Sequence, residues 1–167
     1  MKKLWIQLIC LFTVLTLSTS FLQAQEDDKA KNTRIVDEKN YIFKADQALP
    51  MRGQSRMLTS EFDLVVTPDT VIAFLPYFGR AFQAPINPLD GGIKFTSTDF
   101  KYKSSAKSKK GGWKITIEPK DASGITALNL EVFDNGHATL HVTQTHKDPI
   151  SFSGFIVEGK PREKKAF

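Results

Sequence analysis

The chain has 167 residues, of which 41% are hydrophobic, and a formal net charge of +5. This length fits one ordinary domain with a core of its own. The basic excess is too small for a dedicated nucleic-acid binder, so we expect no nucleic-acid partner. The single cysteine, Cys10, lies near the N terminus, which excludes a disulfide framework and cysteine-ligated metal sites from the rest of the chain.

Residues 1–24 are typical of a secretory signal peptide. Lys2 and Lys3 precede an apolar run, and Ala24 is the expected cleavage residue before a polar stretch. A transmembrane anchor is the weaker interpretation, because the run is shorter than the ~20 apolar residues that cross a bilayer. We therefore expect an exported protein whose mature chain is not membrane-spanning.

The predicted mature chain begins with a polar, charged segment over residues 25–39, which is either a flexible leader or a short helix. From residue 40 onward, short apolar runs alternate with turn residues, a pattern typical of many strands and few helices. We interpret residues 40–158 as one β-rich domain and residues 159–167 as a basic C-terminal tail.

Nine runs have the length and alternation of strands. They are Tyr41–Ala45, Leu58–Val66, Val71–Leu75, Ile93–Thr96, Phe100–Lys103, Trp113–Glu118, Leu128–Val132, Ala138–Val142 and Ile150–Val157. Asn135-Gly136 between two of them indicates a hairpin, because both residues tolerate positive φ. The sequence predicts a mainly β domain, an antiparallel meander of about nine strands that forms a barrel or a strongly curved sheet. An outer-membrane barrel is disfavoured, because outward positions such as Lys114 and Glu131 are polar.

The segment Leu75–Phe82 combines three aromatic residues, a proline, a glycine and an arginine. Turn tips seldom carry this much apolar surface, so the segment is either a buried corner of the fold or a binding surface. As a corner, its phenylalanines would plug one end of a barrel, Gly79 would permit the turn and Arg80 would pair with a carboxylate. As a pocket with an arginine clamp for an anion, its candidate ligand-binding residues are Tyr77, Phe78, Arg80 and Phe82. We expect the corner first and the binding site second.

The three histidines and the scattered acidic residues do not form a recognisable metal or catalytic site. His137 and His141 face outward on one strand, but four residues along a strand span ~13 Å, too far to share one ion. The sequence has no Gly-x-Ser-x-Gly nucleophile motif, and paired carboxylates would have to converge from distant strands. We expect no metal, no cofactor and no catalytic residue.

Lysines cluster in and around the small-residue segment Ser104–Gly112. We interpret this segment as a solvated loop that also discourages pairing between sheet edges. An electrostatic contact for anionic lipid or polysaccharide is the alternative.

Five segments stand in a distinctive order and spacing: Asn40–Ala45, Leu75–Ala81, Gly91–Phe95, Asn135–Leu140 and Ile150–Gly154. In these segments the chain resembles the DUF4251 family, a family of exported Gram-negative proteins that is defined as a domain of unknown function. The resemblance spans roughly residues 40–156 and implies an exported β-rich domain of the periplasm or cell envelope. It implies no activity, ligand or catalytic residue.

These observations favour a non-catalytic binding module whose ligand, a small molecule, lipid or glycan, contacts Leu75–Phe82. Two alternatives stay open. One is a hydrolase acting on envelope or dietary polymer, with carboxylates that converge only in the fold. The other is a structural or assembly partner that pairs through a sheet edge.

Overall fold

The computed structural model describes residues 28–82, 91–107 and 111–159. Residues 28–37 are helical and form α1. The strands are β1 (Tyr41–Pro50), β2 (Arg56–Val66), β3 (Val71–Pro76), β4 (Gly92–Ser97), β5 (Phe100–Ala106), β6 (Trp113–Pro119), β7 (Ile125–Val132), β8 (His137–Gln144) and β9 (Ile150–Glu158). The predicted signal peptide and all but the first residue of the predicted tail fall outside the described residues.

The strands belong to one antiparallel sheet in the order β4-β3-β2-β1-β9-β8-β7-β6-β5. The first four strands and the last five each form a meander, and β1 joins the two by pairing with β9. The predicted antiparallel meander of nine strands is therefore confirmed within the described residues. A bulge between Ala45 and Gln47 carries β1 past its predicted end, so that Ala48 also faces the core.

The two edges of the sheet, β4 and β5, are separated in the chain only by Thr98 and Asp99. Because all eight pairings between neighbouring strands are antiparallel, these two strands run in the same direction. Parallel neighbours cannot be joined by a two-residue hairpin, so β5 continues where β4 ends. The two act as one bent strand whose first half pairs with β3 and whose second half pairs with β6. The sheet is thus nearly closed, as the barrel alternative of the prediction requires.

The joint between β4 and β5 is held by the carboxylate of Asp121 in the β6–β7 turn. One oxygen accepts a hydrogen bond from the Ser97 hydroxyl, and the other accepts from the backbone N–H groups of Thr98 at 2.9 Å and Asp99 at 3.2 Å. Because these bonds favour the charged form, they lower the pKa of Asp121 from 3.8 to about 2. Charge-assisted hydrogen bonds therefore fix the place where the two sheet edges meet.

Inward-facing side chains fill the barrel. Along β6, for example, Trp113, Ile115 and Ile117 are buried while the intervening side chains are exposed or half-buried. The largest fully buried side chains, Tyr41, Phe43 and Phe152, lie on β1 and β9 in the middle of the sheet. With one cysteine in the sequence, the fold depends on this apolar burial rather than on internal disulfides.

One end of the barrel is closed by α1, and we call it the helix end. Ile35 and Val36 of α1 are fully buried against the core. The Asn32 side chain donates a hydrogen bond of 3.0 Å to the carbonyl of Asp134 in the β7–β8 turn. Of the two predictions for the leader segment, the short helix is confirmed over residues 28–37.

A pair of tyrosines lies beneath α1 at the helix end. The hydroxyl groups of Tyr41 and Tyr102 are 3.3 Å apart, and that of Tyr102 donates to the carbonyl of Val36 at 3.4 Å. Burial raises the pKa of both hydroxyl groups. These two tyrosine hydroxyl groups of the helix end therefore find their hydrogen-bond partners within the protein.

The hairpin predicted at Asn135-Gly136 forms. Gly136 has a φ of 81°, whereas Asn135 does not adopt a positive φ. The N–H of Phe133 donates to the carbonyl of His137 at 2.8 Å, which makes a longer loop than a two-residue turn. Such loops place one residue, usually glycine, in the left-handed region.

The predicted loop Ser104–Gly112 is shorter than expected. β5 continues to Ala106, which pairs with Trp113 of β6. Pairing satisfies the backbone groups of this segment, and it outweighs the weak strand signal of its serines and alanine.

Candidate ligand-binding site

The end of the barrel away from α1 is covered by residues 77–82, which follow β3, and we call it the corner end. Two backbone hydrogen bonds join this segment to the β8–β9 loop, from Phe82 N–H to His146 O at 2.9 Å and from Asp148 N–H to Arg80 O at 3.0 Å, and together they form an antiparallel bridge between Ala81 and Lys147. The aromatic segment is therefore a structured corner rather than a free turn tip.

Tyr77 fastens the corner through its hydroxyl group. This group lies 2.8 Å from the carbonyl oxygen of Arg80 and 3.0 Å from that of Asp148, and it donates its single proton toward both. Burial, with the nearby Asp148 charge, raises the pKa of the hydroxyl. The ammonium group of Lys147 lies 5.0 Å from the Tyr77 ring centroid. Tyr77 is thus a structural residue of the site, with its ring under a cation.

Gly79 is required by close approach to Tyr77. A Cβ atom at this position would overlap the hydroxyl and ring of Tyr77. The sequence prediction that Gly79 permits the turn is thus given a steric reason. Its backbone does not need a positive φ.

A shallow depression of about 350 Å³ opens beside the corner. It is lined by the turn after β1 and by the corner itself: Met51, Arg52, Gly53, Phe78, Gly79, Arg80 and Asp148. The guanidinium group of Arg56 lies 4.9 Å from the Phe78 ring centroid. Two of the four predicted ligand-binding residues, Phe78 and Arg80, therefore share one depression, whereas Tyr77 and Phe82 lie outside its lining.

Three arginines stand around the depression. Within the described residues, none of Arg52, Arg56 and Arg80 lies within 4.0 Å of a carboxylate oxygen. The structure thus does not show the ion pair that the buried-corner interpretation expected for Arg80. Asp148 is the one carboxylate among the lining residues. The depression therefore presents an excess of cationic groups to solvent.

Phe82 does not plug the barrel, which corrects the buried-corner interpretation on this point. Its side chain is 66% exposed, and Met51 on the opposite wall of the depression is 64% exposed. Phe78 and Tyr77 are half-buried and pack against the core. Phe82 is exposed because the hydrogen bond from its N–H to the β8–β9 loop holds the residue at the outer rim of the corner end.

The second basic feature, on β5 and β6, is balanced by acidic residues. Lys107 forms an ion pair of 2.8 Å with Glu131. Lys101 and Lys114 stand opposite Glu118 and Glu131 in the strand register, and opposite charges in such positions attract. Among the described residues, acidic side chains therefore offset part of the positive charge of this feature.

The predicted outward histidines are exposed on the outer face of β8. The ring of His141 lies 2.9 Å from the Ser151 hydroxyl, and His137 is exposed beside Phe155. In the part of the chain that the structure describes, no three His, Cys, Asp or Glu side chains come together as metal ligands. Nor is any described helix long and apolar enough to cross a membrane.

Sequence reasoning missed the residues that complete the depression. Met51–Gly53 lies in the turn after β1, and Asp148 lies in the β8–β9 loop. Both are distant in the chain from Phe78 and Arg80, and the pairing of β1 with β9 brings these two loops together. The one signal that the sequence offered was the predicted meander, in which the ends of paired strands lie side by side.

The fold and site define a nearly closed antiparallel barrel with a cationic depression at one end. A family model described as "Domain of unknown function (DUF4251)" matches residues 23–156. The chain belongs to this family. A crystal structure of a DUF4251 family protein from Bacteroides eggerthii DSM 20697 is similar, with a TM-score of 0.54, 16% identity, and coverage of 78% of this chain and 87% of that chain. No curated protein matches the chain.

Proposed function

We propose that this protein is an exported, non-catalytic binding module of the cell envelope, and that its ligand carries a carboxylate or phosphate group. The observation that carries the proposal is the set of three arginines without carboxylate partners in the described residues, placed around a depression with an aromatic wall. Guanidinium groups bind carboxylates and phosphates through paired N–H donors.

The geometry supports a division of roles at the depression. Arg80 and Arg52 line it and present charge to the ligand, while Arg56 is held over the Phe78 ring. The half-buried Phe78 ring offers an apolar surface against which the uncharged part of a ligand packs. At this depression a hydrolase that acts through two carboxylates gains no support, because Asp148 is the single carboxylate in the lining.

Export is the second part of the proposal, and it rests on residues 1–24. Expression of the whole chain in a Gram-negative host tests it directly. We expect the protein in the periplasmic fraction, with a mass that corresponds to cleavage after Ala24. Retention of the full-length mass in the cytoplasm would contradict export.

The ligand class is tested on the exported protein with three soluble probes: inorganic phosphate, glycerol 3-phosphate and trigalacturonate. We expect at least one probe to raise the melting temperature, and Arg80→Gln to weaken its binding at least fivefold in calorimetric titration. Lys103→Gln, which removes an exposed charge on β5, is the matched control. Binding that survives Arg80→Gln unchanged would place the site elsewhere and overturn the proposal.

A further inference from the structure

Exposed apolar side chains occur at the rim of the corner end together with arginines that have no carboxylate partner among the described residues. Met51 and Phe82 are 64% and 66% exposed, far more than apolar side chains of a packed corner. Arg80 shares the depression with Met51 and is two residues from Phe82 in the chain. The rim thus combines apolar tips with positive charge.

This combination matches the chemistry of an anionic lipid surface. Exposed apolar tips gain free energy when they enter the region between headgroups and acyl chains. Basic residues near the surface strengthen this binding through attraction to anionic lipids. A soluble polyanion would use the arginines but would leave Met51 and Phe82 in water.

The backbone of the rim is well placed for such contact. Phe82 is held by its bond to His146 at 2.9 Å, and Arg80 by the bond from Asp148 at 3.0 Å. These bonds fix where the tip side chains leave the fold, while the side chains themselves remain exposed. Little ordering is then required when they meet a partner.

We infer that the corner end docks on a membrane that contains anionic lipid, with Met51 and Phe82 inserted and the arginines at the phosphate groups. This inference rests on the proposed function, and it identifies the anionic group of the ligand as the phosphate of a membrane lipid. The exposed phenylalanine Phe155 on β9, on the outer wall of the barrel, is not part of the docking surface.

The test uses the exported protein and sedimentation with vesicles. We expect vesicles that contain phosphatidylglycerol to bind it at least tenfold more tightly than vesicles of phosphatidylcholine alone. Phe82→Ser should weaken binding about tenfold through lost insertion, and Arg80→Gln about fivefold. High salt should weaken the wild-type protein and the Phe82→Ser variant alike, because it screens the arginines and not the inserted ring.

Two control variants change the same kinds of side chain at positions outside the docking surface. Phe155→Ser removes an exposed phenylalanine and Lys103→Gln an exposed cation, and both should leave vesicle binding unchanged. Equal losses from the controls would overturn the inference, because another face would then be in contact. The melting temperatures of these two controls and of Phe82→Ser and Arg80→Gln check that the fold is intact. A further variant, Phe82→Leu, keeps an apolar tip and should retain most of the binding.

Failure of the inference is distinguishable from failure of the proposed function. If a soluble probe binds through Arg80 while vesicles do not bind, the docking surface is wrong and the binding module stands. If neither the soluble probes nor the vesicles bind, both are wrong. Vesicle binding that ignores both Phe82 and Arg80 also overturns the inference.

Discussion

The two ends of the barrel close the same sheet by different means. At the helix end, Ile35 and Val36 are fully buried and the paired hydroxyl groups of Tyr41 and Tyr102 bond to each other. At the corner end, backbone hydrogen bonds fix the chain while Phe82 and several cations face solvent. The helix end therefore stabilises the fold, and the corner end leaves apolar and cationic side chains exposed to solvent.

This difference separates stability from binding within a single core. Substitutions at the helix end should lower the free energy of unfolding and leave the proposed ligand-binding side chains in place. Substitutions of exposed corner side chains should do the reverse. Trp113, 8% exposed, reports unfolding of the core by fluorescence in either case.

The largest expected effect is at the helix end. Ile35→Ala should lower the free energy of unfolding by ~2–5 kcal/mol, because it leaves a cavity in a fully buried site. Arg80→Gln should change it by no more than ~0.5 kcal/mol, because the side chain is exposed. Urea unfolding followed by Trp113 fluorescence measures both. A comparable loss from Arg80→Gln would erase the distinction between the two ends.

Gly79 provides the next largest effect, at the backbone of the corner end. Gly79→Ala should cost ~1–3 kcal/mol, because its Cβ displaces the Tyr77 ring from its two carbonyl partners. Gly91→Ala is the matched control, because a Cβ there meets nothing within 4 Å. Thermal unfolding of the two variants should differ clearly, and equal melting temperatures would show that the Tyr77 ring yields without cost.

Removing one tyrosine hydroxyl group at each end of the barrel compares the two ends directly. Tyr102→Phe should cost ~1–3 kcal/mol, because it leaves the buried Tyr41 hydroxyl without its partner. Tyr77→Phe should cost about 1 kcal/mol, because water reaches the carbonyl groups at the corner. Urea unfolding gives the order of the two losses. A larger loss of unfolding free energy from Tyr77→Phe would show that the corner end depends more on its tyrosine hydroxyl group than the helix end does.

Much of the fold could be predicted because alternation of apolar residues is a local property. The Trp113–Glu118 run and the strands beside it show this pattern directly in the sequence. The extension of β5 to Ala106 could not be predicted in the same way, because its serines gain strand structure only from pairing with β6. The joint at Asp121 depends on contacts between distant turns.

Only the part of the candidate site whose residues are close together in the sequence could be predicted. Phe78 and Arg80 stand in an unusual string, and the structure places both in one depression. Arg52 and Arg56 lie in a polar stretch after β1 that carries no local signal. Exposure could not be predicted either, because Phe82 differs from Phe78 only through the direction that the corner gives each side chain.

The smallest expected effect is the pH dependence of the β4–β5 joint, near the corner end. Asp121 is solvent-exposed, and its hydrogen bonds lower its pKa from 3.8 to about 2. A carboxylate whose pKa is depressed in the folded state stabilises it above the unfolded pKa, and this contribution is lost as the pH falls through the folded pKa. The wild-type protein should therefore lose this contribution between about pH 4 and pH 2.

Hydrogen exchange at the joint tests that expectation. The N–H groups of Thr98 and Asp99 donate to Asp121, so their protection factors should fall below pH 4 while those of α1 persist. Asp121→Asn should lower the protection at neutral pH and remove most of its change with acid, whereas Asp37→Asn on α1 should not. If acid released α1 before the joint, apolar burial at the helix end would be weaker than hydrogen bonding at the corner end. The contrast between a stabilising end and an accessible end would then be reversed.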